Sequence, residues 1–303
     1  MVNLVVRRAA LAELVSPESP LERIADGFLF TEGPVWHPSE GHLTFSDIPA
    51  SIIYRWDEES GLRVWRENTG KANGNAYDAS GRLISCEHAT SRVVRHEPDG
   101  SVTVLAESFQ GKELNSPNDV IVGRDGAVYF TDPVYGRTNP VVGLLRDPEL
   151  EVRGVYRVVP GEEPELLIGD CEGPNGLCFS EDERRLFVND SDRGVIRCFD
   201  WDGVSARGGA VWAEPTGTGP GAVDGMKVDS LGNLYCTGPG GVFVYTPEAE
   251  LLGVIEVPEL VGNFVWGGAD LRTLFLCAST SVYACRTAVA GIAAFSSSGS
   301  QGV

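Results

Sequence analysis

Apolar residues along this chain come in short alternating runs, each five to seven residues long and closed by a glycine, aspartate or asparagine turn. SIIYRWD (51–57), RVVRHE (92–97), GVYRVV (154–159), GVIRCF (194–199) and LLGVIEV (251–257) are representative. Period-two alternation of β-branched and aromatic residues predicts half-buried strands. Helix-period segments are nearly absent, the clearest being residues 9–15. Six segments also share a plan. Each opens on a carboxylate or an amide, namely Glu32, Asn73, Asn118, Asn175, Asp224 and Asn263. A turn follows at Gly41, Gly81, Gly126, Arg184, Gly232 and Leu271. Behind each turn stands a second apolar run: HLTFSD, GRLISC, AVYFTD, RLFVND, NLYCTG and TLFLCA.

Repeats of about 40–50 residues built from short strands and tight turns are the mark of propeller blades. The sequence therefore predicts an all-β, six-bladed β-propeller, a single domain over 1–303 with its core at about 20–286. The sixth repeat supplies three strands and then dissolves into AVAGIAAFSSSGSQGV. An open ring would leave bare sheet edges, so residues 21–25 are expected to provide the missing outer strand of the last blade. Residues 287–303 are expected to form a flexible tail. The third repeat carries an insertion over 133–153, a loop of the length used for lids or binding loops, or for a subunit contact.

Bulk composition narrows the function. A formal charge of −19 and an isoelectric point near 4.6 disfavour nucleic acid and anionic membranes, which need basic patches. No run reaches the ~18–20 apolar residues of a membrane helix, and the N-terminus lacks the order of a signal peptide. Seven scattered cysteines without a CxxC pair read as buried free thiols of a reducing cytoplasm. His37, His42 and His96 fall at turns or outer strands and are expected on the solvent side. A monomer or homodimer acting on a small molecule fits these properties.

Closing six repeats into a ring brings the six openers to one end of the axis. In each blade the second strand runs back, so its last residues share that face: Asp47, Glu87–His88, Thr131–Asp132, Asn189–Asp190 and Thr237–Gly238 among them. The insertion, with Tyr135 and Arg137 near its start, hangs over the same mouth. Two carboxylates among neutral amide oxygens suit a hard cation such as Ca²⁺, which takes 6–8 oxygen ligands. With no second histidine among them, Zn²⁺ is less natural; Mg²⁺ and Mn²⁺ are further alternatives. The competing reading is that Asn and Asp at strand starts cap turns, and it is stronger for Asp47, Asp132 and Asp190. His88 lies on the right face for a proton shuttle, a substrate donor or a supporting hydrogen-bonder. No Ser-nucleophile motif is visible.

FTEGPVWHP (30–38), GRLISCEHATSRVVR (81–95), LNSPNDVIVGRDGAVYFTDPVYG (114–136), EGPNGLCFSEDERRLFVND (172–190), VDGMKVDSLGNLYCTGPGGVFVY (223–245) and WGGADLRTLFLCASTSVY (266–283) resemble, in order, the SMP-30/gluconolactonase/LRE family. The resemblance spans about residues 20–285 and is nearest to bacterial gluconolactonase-like members. It implies one axial divalent metal, commonly Ca²⁺, with ligands carried over onto Glu32, Asn175 and Asp224 and a further axial Asn onto Asn118. Animal members place an arginine two positions before that Asn, where this chain has Ser116; sugar recognition must differ there. The expected activity is metal-dependent hydrolysis of a small sugar-derived lactone, with Asp224 as ligand and general base. Asn73, His88, Asp132, Tyr135, Arg137 and Asn263 are candidate substrate contacts. The alternatives are phosphotriester hydrolysis on the same metal site and a non-catalytic binding propeller.

Overall fold

Each group of four alternating runs folds into one antiparallel sheet, and consecutive sheets are joined at the axis. The computed structural model describes residues 1–295. Blades one to five occupy 31–67, 72–106, 120–168, 174–213 and 226–256. Blade six takes Val261–Gly267, Thr273–Ala278 and Ser281–Arg286, and its outermost strand is Glu22–Asp26 from the start of the chain. The ring is thus closed by pairing Glu22 with Ala284 and Asp26 with Ser281, as the exposed-edge argument predicts.

Burial follows the sheet positions. The second strand of every blade is almost wholly buried, as in His42–Asp47, Leu83–Glu87 and Val128–Asp132. The outer strands carry the exposed residues; Gly61–Glu67 and Ala206–Ala213 are examples. Apolar side chains pack between blades rather than on the axis. Six separate clusters fill the six interfaces: Phe28, Trp36, Phe45 and Phe275 between blades six and one, Phe130, Tyr156 and Leu114 between two and three. Trp36 stacks on Phe275 with ring centroids 5.5 Å apart. Such pairs contribute about 0.5–1.5 kcal/mol beyond their buried area. With the apolar side chains committed to the interfaces, the axis is left to polar ones.

The N-terminal segment does more than its closing role. Asn3–Val6 adds a fifth strand outside blade five, pairing Asn3 with Glu256 and Val6 with Gly253. The helix Ala10–Leu14 then buries Leu11 and Leu14 in the cluster between blades five and six.

Two expectations are corrected. Residues 287–295 are not a free tail: Trp266 donates to the Thr287 hydroxyl at 3.1 Å, Ala288 N–H donates to Leu14, Gly291 bridges to Asp229, and Phe295 meets His37 edge-on. The rest of that segment, 296–303, lies outside the described residues. His37, His42 and His96 are buried, each no more than 5 % exposed, because the tail and neighbouring blades cover the end of the ring opposite the mouth. All seven cysteines are free. Among the described residues no helix is long and apolar enough to cross a membrane.

Candidate active site

The six openers sit where the inner strands bend. Register irregularities occur between Glu32 and Val35, Ala72 and Asn75, Pro174 and Leu177, and Val261 and Asn263. In blades three and five the regular strand begins only after the opener, at Val120 and Met226. Such bulges turn a side chain out of the alternating pattern, here toward the axis. The glycine following an opener has a steric cause. A Cβ on Gly33 would collide with the Asn73 carbonyl, and one on Gly176 with the Asp224 carbonyl. Neighbouring blades therefore touch backbone to backbone, with Gly74 N–H donating to Asn118 at 2.8 Å and Gly225 N–H to Gly262 at 2.8 Å.

Glu32 is 3 % exposed. Its Oε2 accepts the Gly33 N–H at 2.6 Å, and its Oε1 is buried with no hydrogen-bond partner. Asn175 likewise buries its Oδ1 without a partner. Asp224 stands between them: its carboxyl is hydrogen-bonded by Asn175 and feels the charge of Glu32. Burial pushes Glu32 up to about 7. Burial, with Glu32 and Asp119 nearby, pushes Asp224 well above the usual carboxylate range. Two carboxyls held this way are uncomfortable as anions until a cation joins them. Orphaned buried oxygens of Glu32 and Asn175, converging with Asp224, fit a divalent ion. All are hard oxygen donors. The described residues contain no group of three or more His, Cys, Asp or Glu arranged for a metal, which excludes a nitrogen or sulfur site and leaves a set of two carboxylates completed by amide oxygen. Asn118, from blade three, is 6 % exposed and is fixed through its backbone to Thr131 and Gly74.

The expected substrate contacts divide. Asn73 and His88 form one unit. His88 Nδ1 lies 3.1 Å from the Val142 carbonyl, so it carries the proton there. Its Nε2 then accepts from Asn73 Nδ2 at 3.2 Å. Burial lowers His88 to about 4, so it stays neutral and supports Asn73. Tyr135 lies on the mouth rim, its hydroxyl 3.1 Å from Asp192 and 3.3 Å from the Gly173 carbonyl, close enough to Asp224 to feel its charge.

Three residues are corrected. Arg137 is 2 % exposed and spends its guanidinium on the Asn115, Asp147 and Leu114 carbonyls, Ser91 and Glu113. It pins the inserted loop and has no donor to offer a substrate. Asp132 is fully buried and accepts the Asn115 N–H at 2.8 Å. It does what Asp47 does for Leu29 and Phe30, and Asp190 for Glu172 and Gly173: it ties the loop entering its own blade. Asn263 turns inward, accepting from Phe264 N–H and Lys227 while supporting Glu32.

Ser116 explains the missing arginine in structural terms. Its hydroxyl donates to the Pro133 carbonyl at 2.6 Å and accepts the Gly136 N–H at 3.0 Å. The loop backbone fills the space a long side chain would need. Sequence reasoning missed Asp119 and Lys227, both near the axis. The available signal was local: Asn118 is followed by an acid where four other openers are preceded or followed by glycine with nothing further to add.

The comparisons agree with this geometry. The family model "SMP-30/Gluconolactonase/LRE-like region" matches residues 30–280. A gluconolactonase of Zymomonas mobilis is 31% identical, over 93% of this chain and 85% of that protein. A pentonolactonase of Haloferax volcanii is 30% identical, over 81% of this chain and 80% of that protein. The solved structure of a gluconolactonase from Xanthomonas campestris superposes with a TM-score of 0.88 at 33% identity, covering 94% of each chain. A ring of six blades with two carboxylates and an orphaned amide oxygen meeting at its mouth, on a chain matched by that model over most of its length, belongs to the SMP-30/gluconolactonase/LRE-like family.

Proposed function

We propose that the chain hydrolyses a small sugar-derived lactone with the help of one divalent ion, Ca²⁺ being favoured by the all-oxygen donor set. The observation that carries this reading is the pair of buried, unpartnered oxygens, Glu32 Oε1 and Asn175 Oδ1, meeting Asp224 at the mouth. Both lactonase relatives, one acting on a gluconolactone and one on a pentonolactone by name, agree with it. Glu32, Asn175 and Asp224 would hold the ion, with Asn118 beside it. When bound, such an ion supplies a Lewis acid for the lactone carbonyl.

The chain's own residues supply the rest. Asp224 takes the proton of the attacking water as its oxygen bonds to the carbonyl carbon. The ring C–O bond then breaks, and the ring oxygen leaves as the hydroxyl of an open-chain acid after taking up a proton. Asn118 and Asn73 present amides to the sugar oxygens, Asn73 being oriented by neutral His88. Tyr135 bounds the mouth on the blade-four side. A floor of amides and carboxyls matches a polyhydroxylated ring better than an apolar phosphotriester. The test is proton release from a panel of aldonolactones by the purified protein, before and after EDTA. Turnover that EDTA abolishes and Ca²⁺ restores supports the reading; turnover indifferent to EDTA removes the metal from it.

A further inference from the structure

Beneath the openers the axial channel holds a second, inner charge system. Asp119 occupies the place where Gly33, Gly74, Gly176 and Gly225 follow their openers. It is 4 % exposed. Its Oδ1 accepts the Val120 N–H at 2.9 Å, and its Oδ2 faces the Leu177 N–H of blade four at 3.4 Å. Burial raises its carboxyl, and the main opposing influence is the charge of Lys227. Lys227 comes from blade five, between Met226 and Val228, whose side chains are buried in the interface with blade four. Its ammonium donates to the Met226 carbonyl at 3.0 Å and reaches Asn263 Oδ1 of blade six at 3.5 Å. Its charge acts on Glu32 of blade one, Asp119 of blade three and Asp224 of its own blade. A blade-five side chain felt on both sides of the ring must extend into the channel.

We infer that Lys227 is a tethered counter-ion in the axial channel that balances Asp119 and limits the site to a single divalent ion. The inference rests on the metal reading of Glu32, Asn175 and Asp224. Three carboxylates carry three negative charges, and one divalent ion with one ammonium cancels them. Without the ammonium, one negative charge stays in a low-dielectric channel, and a further cation is drawn to it. Lys227 is a positioning residue in this account. It touches no substrate and works through the number and affinity of ions held above it.

The experiment titrates CaCl₂ into EDTA-stripped protein by calorimetry, with bound calcium counted after dialysis. Wild type is expected to hold one ion, lost in Glu32→Gln. Lys227→Met is expected to hold two, or to hold one at least ~10-fold more tightly. Lys227→Arg keeps one ion at wild-type affinity, and the double variant Lys227→Met/Asp119→Asn returns to one. Asp119→Asn alone leaves the ammonium unbalanced and weakens the ion by at least ~10-fold; this arm stands even where Lys227→Met does not fold. A folded Lys227→Met with one ion at unchanged or weaker affinity, or Asp119→Asn with unchanged affinity, overturns the inference while leaving the metal site intact. Wild type that binds no calcium removes both.

Discussion

At the scale of single residues, the site depends on oxygens that the protein leaves unpaired. Asp224→Asn keeps the shape and the hydrogen-bonding atoms but removes a base and a negative ligand. Turnover is expected to fall ~10²–10⁴-fold with the melting temperature nearly unchanged; kcat on the best lactone, alongside circular dichroism, checks it. His96 allows a second residue-scale test. Arg66 donates into its Nδ1 at 2.7 Å, leaving Nε2–H for Ser85 at 3.0 Å, and Ser85 donates to Asn75 at 2.6 Å. Burial and the neighbouring Arg66 hold His96 near 4. The unfolded chain takes up its proton first, near 6.5, so stability supplied by neutral His96 is lost as pH falls from 6.5 toward 4. The slope is up to about 1.4 kcal/mol per pH unit. Asp132, raised to about 7 by burial, acts in the opposite direction. The readout is therefore the difference between wild type and His96→Gln in melting temperature from pH 7 to 5, and the variant should show the smaller loss. The axial openers were legible in sequence because their spacing repeats. Arg137 and Asp132 were misread because face alone was known. Which way a side chain turns from that face depends on backbone carbonyls many residues away, and no local pattern records those.

Whole elements were easier to foresee. Alternation fixes which strand faces are apolar, and turn residues fix where hairpins close, so the six repeats and the closing strand near 21–25 could be read directly. The strand Asn3–Val6 could not: its burial pattern is mostly exposed, and it owes its place to the open edge of blade five. The inserted loop also differs from a mobile lid. Its short helix Tyr135–Thr138 is pinned by Arg137 below, by Ser116 through Gly136 N–H, and by Lys71 on the Val141 carbonyl at 2.9 Å. It forms a fixed wall of the mouth, with Val141, Leu144 and Leu145 exposed along its outer side. Arg137→Met strands several carbonyls and is expected to cost roughly 3 kcal/mol. It should also raise KM across the lactone panel and open 133–153 to limited proteolysis. Wild-type proteolysis and KM in a folded variant would show that the wall stands without its pin.

For the molecule as a whole, the two ends of the chain meet in one sheet. Removing residues 1–8 takes away only an added edge strand and is expected to leave a folded, active ring. Removing 1–26 strips blade six of its outer strand and exposes Ser281–Arg286 as a bare edge. That protein should aggregate or unfold well below wild type, as size-exclusion chromatography and thermal melts would show. The same pairing has a consequence for synthesis on the ribosome. Glu22–Asp26 leaves the exit tunnel among the first segments, yet its partner Ser281–Arg286 is among the last. At about 5–20 residues per second, the early strand waits roughly 13–50 s with its hydrogen-bonding edge unsatisfied while five blades assemble behind it. Its sequence, ERIAD, carries three charges in five residues, a composition that keeps a solitary strand in water rather than on another chain.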